Sequence, residues 1–81
     1  DTNLLIMLDV SGSMNDASGV NGLTRLELAK QAINSLIDGY EQYGNAQVKI
    51  VTFSTTAASL TTNWVSATDA KALLSSVSAG G

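Results

Sequence analysis

The residues with the most chemistry per position lie in the stretch Leu4-Leu5-Ile6-Met7-Leu8-Asp9-Val10-Ser11-Gly12-Ser13-Met14, where an apolar run meets an aspartate and two alternating serines. If such a loop curls, the Asp9 carboxylate and the Ser11 and Ser13 hydroxyls converge, and Gly12 permits the bend. Three hard oxygen donors with one negative charge suit a divalent cation, Mg²⁺ first and Mn²⁺ or Ca²⁺ next, and suit thiophilic metals poorly. So sparse a donor set leaves a coordination position for water or for an external carboxylate or phosphate. The competing reading is local: Asp9 ends a strand, and the serines are turn residues bonded to their own backbone. Asn15 and Asp16 are near enough to reach such an ion through water, or are plain solvated loop residues.

Other chemistries find little support. The chain has no histidine, which removes Ser-His-Asp and Cys-His catalysis and HExxH zinc sites. It has no cysteine, so it can form neither a disulfide nor a thiolate metal centre. Four Lys and Arg against seven Asp and Glu make no basic patch for nucleic acid. An aspartate at a strand end can accept a phosphoryl group beside Mg²⁺. That motif wants a second aspartate two positions on, where this chain has Ser11, and no phosphate loop, dinucleotide fingerprint or nucleophile elbow is present. The longest apolar run, Leu4 to Leu8, is far short of the roughly 20 residues that cross a bilayer. Neither enzyme activity nor membrane insertion is expected.

Elements of a recognisable kind must position the loop. Leu4 to Leu8 is apolar on both side-chain parities, the pattern of a strand covered on both faces in a mainly parallel sheet. Val10 to Gly22 reads as loop. Thr24-Arg25-Leu26-Glu27 fits a capping box opening a helix, with Leu23 and Leu28 placed for a staple. Leu26, Ala29, Ile33, Leu36, Ile37 and Tyr40 form its apolar stripe, leaving Lys30, Gln31, Asn34 and Asp38 on the other side and an end near Tyr43 and Gly44. Arg25 and Lys30 read as solvent-facing charges. Val48 to Ser54 is a second strand, Thr55-Thr56 a turn, and Ala58 to Thr62 a short antiparallel edge strand. Ser66 with Asp69 caps a second helix through Ala70, Leu73, Leu74 and Val77, ending toward Ala79-Gly80-Gly81. Phe53 and Trp64 are expected to pack against the core.

The combination of LLIMLDVSGSM, TRLELAKQAINSLI and VKIVTFS resembles the von Willebrand factor A domain family, including the integrin inserted domains. The resemblance covers essentially the whole chain and implies a Rossmann-like α/β fold in β-α-β-β-α order, mainly parallel with one antiparallel edge strand. It implies that Asp9, Ser11 and Ser13 open a metal-ion-dependent adhesion site, the serines bound directly and Asp9 directly or through one water. It further implies that the partner is a protein whose exposed Asp or Glu completes the coordination.

Members of the family carry a threonine just after a Gly-Gly pair that follows the second helix, and an aspartate after a further strand. This chain stops at Ala79-Gly80-Gly81. Residues 1–81 therefore read as the amino-terminal half of such a domain, whose carboxy-terminal half would come from a longer parent chain or from another chain. Thr55, Thr56, Thr61 and Thr62 precede the second helix and do not substitute for the missing threonine. At 81 residues the chain is one small domain at most and buries only about 60% of its unfolded surface. The acidic balance and absent cysteines resemble repeats of large secreted bacterial adhesins of RTX type, which implies an extracellular or cell-surface setting; a cytoplasmic module is the alternative. A structural module with an incomplete, non-functional metal site is the rival function.

Overall fold

The computed structural model describes residues 2–54, 57–59 and 63–80. The elements follow in the order β1 (Thr2–Asp9), α1 (Arg25–Glu41), β2 (Ala46–Phe53), β3 (Ala57–Ser59), β4 (Val65–Ser66) and α2 (Ala67–Ser75), with a 3₁₀ turn at Gly12–Asn15. β1 and β2 run parallel from Thr2↔Ala46 to Asp9↔Phe53. The antiparallel β3 pairs Val51 to Phe53, and the antiparallel β4 pairs Gln47 and Val48. By ladder length the sheet is mostly parallel, but it holds two antiparallel strands where one was expected. β4 escapes sequence reading because two residues show no periodicity and Ser66 already serves as a helix cap. Thr55-Thr56 and Leu60 to Thr62, parts of the expected turn and edge strand, lie outside the described residues.

Local chemistry accounts for the helix starts. Thr24 Oγ1 accepts from the Glu27 N–H at 3.1 Å while Glu27 Oε1 accepts from the Thr24 N–H at 2.7 Å, completing the capping box. Ser66 Oγ accepts from the Asp69 N–H at 3.2 Å at the head of α2. α1 ends at Glu41, whose Oε2 accepts from the Ala46 N–H at 2.6 Å and ties the turn to β2. α2 stops at Ser75, short of the expected Ala79. Val77 continues the helical spacing, but the Ser76 and Val77 N–H groups donate to Leu73 O and Leu74 O, three residues back, at 3.1 Å each, so the last turn tightens and stops.

Both helices cover one face of the sheet. Ile6, Leu8, Val48 and Ile50 meet Leu26 and Ile37 of α1 and Ala67, Ala70 and Leu74 of α2 in one core. The opposite face is open: Leu5 and Met7 are 59% and 60% exposed, which corrects the expectation that β1 is covered on both sides. The extents of 35 × 29 × 15 Å are those of one sheet and one helical layer. β1 is also an edge strand. Thr2 and Val10 donate to Asn45 and Phe53 on the β2 side. By alternation Asn3, Leu5 and Met7 aim their N–H and C=O groups outward.

Two helical positions depart from the expected polar face. Lys30 is half-buried and donates to the carbonyls of Ser75 and Val77, joining α1 to the chain beyond α2. Asn34 is also half-buried, and its Oδ1 is shut away from solvent without a partner among the described residues. Asp38 pairs with Lys71 of α2, so the Lys30-Asn34-Asp38 row is a polar seam between helices. In the apolar stripe, Leu36 and Tyr40 are 48% and 42% exposed. Trp64 is exposed as well, while Phe53 is half-buried on the open face.

Candidate functional site

The loop after β1 begins where parallel pairing ends. The Val10 N–H donates to Phe53 O at 2.8 Å, the last bond of the ladder, and the chain then turns through Gly12–Asn15 with Met14 N–H on Ser11 O at 2.9 Å. This brings the expected ligands together. Asp9 Oδ1 accepts from the Ser11 N–H at 2.8 Å, and the Ser11 and Ser13 hydroxyl oxygens lie 3.1 Å apart. The Ser11 backbone N–H, and after it the Ser11 hydroxyl, hold the Asp9 carboxyl below its usual range, so the loop carries a fixed negative charge at neutral pH.

The Ser11 and Ser13 hydroxyls hydrogen-bond each other, and their separation can be set beside that of two ligands on a small hard cation. Two oxygens at right angles on one Mg²⁺, each at about 2.05 Å, stand about 2.9 Å apart. The two hydroxyls are near that separation, and Ser13 is exposed. Among the described residues no three acidic side chains gather to hold a cation by themselves, so an ion here would depend on hydroxyls and one carboxylate.

Three further pieces frame the loop. Asn15 Nδ2 donates to Ala79 O at 3.0 Å, and the Gly80 N–H donates to Val10 O at 2.8 Å, so the segment after α2 is strapped onto the candidate site. Asn15 is exposed, as the sequence reading of a solvated loop residue has it, and its amide also holds a distant stretch of backbone. Nothing in the local sequence signals that partner. Asp16 is exposed, and its carbonyl accepts from the Arg25 N–H at 2.9 Å, linking the loop to the start of α1. Between them the chain makes a small hairpin, closed by the Ala17↔Thr24 bridge and by Ser18, whose N–H and Oγ both donate to Leu23 O.

A parallel strand pair, helices on one face and an oxygen-rich loop at the strand's carboxyl end define an α/β fold whose candidate site lies where open α/β sheets bind ligands. The model of the von Willebrand factor type A domain matches residues 4–80, and the chain belongs to that family. Domains of this family are interaction modules as a rule. Similar solved structures include BatB, a conserved hypothetical protein from Bacteroides thetaiotaomicron (29% identity, TM-score 0.80, 96% of this chain and 36% of that one). The PilB minor pilin of Streptococcus sanguinis is similar at 19% identity and TM-score 0.83, over 100% of this chain and 22% of that one. Proximal thread matrix protein 1 of the mussel byssus is similar at 20% identity and TM-score 0.71, over 96% and 20%. The chain thus spans about a third or less of these structures, and the two at or below 20% identity speak for the fold alone. No curated protein matches the sequence.

Proposed function

We propose that the chain is the metal-holding part of a protein-binding module, with Asp9, Ser11 and Ser13 as ligands to a divalent cation, Mg²⁺ first and Mn²⁺ or Ca²⁺ next. The observation that carries this reading is the pair of hydroxyls 3.1 Å apart beside a carboxylate kept ionised at the end of β1. The cation would supply positive charge and an open coordination position for an Asp or Glu carboxylate of a protein partner. The residues of this chain do the rest: Ser11 orients the Asp9 carboxylate, and the strap at Ala79 and Gly80 holds the loop from the far side. This function needs no bond breaking, and the reading is non-enzymatic.

The acidic balance and the absence of cysteine, which resemble secreted bacterial adhesin repeats, support an extracellular or cell-surface setting. No helix among the described residues is long and apolar enough to cross a membrane. The second reading, a structural module with an incomplete site, draws on the small number of donors the loop offers.

Calorimetric titration of Mg²⁺, Mn²⁺ and Ca²⁺ into this chain, and into a longer one continuing past Gly81, tests the proposal. Saturable binding in at least the longer chain is expected, abolished by Asp9→Ala, with a carboxylate peptide then binding only in the presence of metal. Absence of metal binding in both chains would leave the structural reading.

A further inference from the structure

The hairpin beside the candidate site turns at Val20–Leu23, where the Leu23 N–H donates to Val20 O at 2.9 Å. Its two central residues, Asn21 and Gly22, have φ of +50° and +73°. Positive φ at both positions is the type I′ geometry, for which Asn-Gly is the preferred pair. The same pair is chemically labile. An asparagine side-chain amide is open to attack by the next residue's backbone nitrogen, and glycine, lacking a side chain, hinders that attack least. Of the six asparagines, only Asn21 precedes glycine.

The structure leaves the reacting groups free. Both residues are exposed. Among the described residues no acceptor engages the Gly22 N–H and no hydrogen bond holds the Asn21 side chain. The ties that close the hairpin lie on either side, at Ser18, Val20 and Leu23.

We propose that Asn21 is a site of spontaneous deamidation that remodels the loop next to Ser11 and Ser13. The Gly22 nitrogen bonds to Asn21 Cγ while the Cγ–Nδ2 bond breaks, and Nδ2 leaves as ammonia carrying the proton lost by the Gly22 amide. Water then opens the cyclic imide at either carbonyl, giving an aspartyl or an isoaspartyl linkage at position 21. Nothing is oxidised or reduced, and water is the only co-reactant. Both products add a negative charge to a chain already at −3. The isoaspartyl product also lengthens the main chain by one methylene, which a two-residue turn cannot absorb. The Leu23–Val20 bond and the Ser18–Leu23 pair then loosen, and the slack reaches Asp16 and Arg25, where the hairpin joins the candidate loop.

The test is to incubate the folded chain at mildly alkaline pH and body temperature beside a free peptide covering residues 17–24, and to map each asparagine by peptide mass spectrometry and isoaspartyl methyltransferase labelling. Asn21 is expected to convert before the other asparagines. Asn21→Gly, which keeps positive φ, should remove the product, and Gly22→Ala, whose methyl group meets nothing although the positive φ strains any side chain there, should slow it. The isoaspartyl form, isolated by anion exchange, should show faster amide exchange at Leu23. Conversion of another asparagine first, or an Asn21 still intact in the folded chain when the peptide has fully reacted, would overturn the proposal. So would unchanged exchange at Leu23 in the isoaspartyl form, which would show that the modification leaves the loop as it was.

Discussion

Asp9 and Glu27 are both acceptors of backbone N–H groups, and each carboxyl is held below its ordinary range. For Asp9 the donor is the Ser11 N–H, assisted by its hydroxyl; for Glu27 it is the Thr24 N–H, with the Thr24 side chain next. A depressed carboxyl pKa favours the fold while the pH stays above the unfolded values of about 4, because both states are then ionised and only the native one has the bonds. That contribution disappears as pH falls from about 4 through the lower native values. Urea midpoints measured on an acid series should therefore drop in this window, and the Asp9→Asn plus Glu27→Gln double variant should show a shallower drop. An identical acid limb in the two proteins would contradict the assignment. At this scale the convergence of Asp9, Ser11 and Ser13 was legible, because D-x-S-x-S is a local pattern and the loop folds on itself. Lys30 and Asn15 were not, since their partners are carbonyls 47 and 64 residues away that no local pattern names.

The helix starts rest on one or two side-chain bonds each, which makes their strengths comparable. Replacing Thr24 by Ala removes the bond to the Glu27 N–H and disturbs its reciprocal, so a loss of about 1 kcal/mol or somewhat more is expected. Ser66→Ala removes one bond and should cost about 1 kcal/mol or less. Denaturant unfolding gives both numbers; Thr24→Ser should restore most of the stability, and a Thr24→Ala chain as stable as the parent would refute the capping account. These boundaries were readable because caps are sequence-local. The end of α2 was not, because hydrophobic spacing continues to Val77 while the Ser76 and Val77 N–H groups have already tightened onto the carbonyls three residues back. The open face of β1 was illegible for a related reason: apolar residues on both parities state what a strand can bury, not what covers it. Leu5 and Met7 are the two residues on which that distinction turns.

As a whole, the molecule is a slab with one dressed face and one open edge. An eight-residue edge strand with no charge between Thr2 and Leu8 is the type that pairs with other strands. The 81-residue chain is expected to self-associate with rising concentration, as sedimentation or light scattering would record. Leu5→Lys should suppress this at a stability cost within about 0.5 kcal/mol, because the side chain is already more than half exposed. Association undiminished in that variant would place the contact elsewhere. The strap at Ala79 and Gly80 has a consequence in time. Its bonds to Asn15 and Val10 close nearly the whole chain into a ring, the Asn15 bond alone spanning 64 residues. Contacts of such long sequence separation incur loop-closure entropy before they return any bond energy, so they form late in refolding. Helix caps, local in sequence, are expected before them, and the loop bearing Asp9, Ser11 and Ser13 receives this support only when the segment after α2 docks.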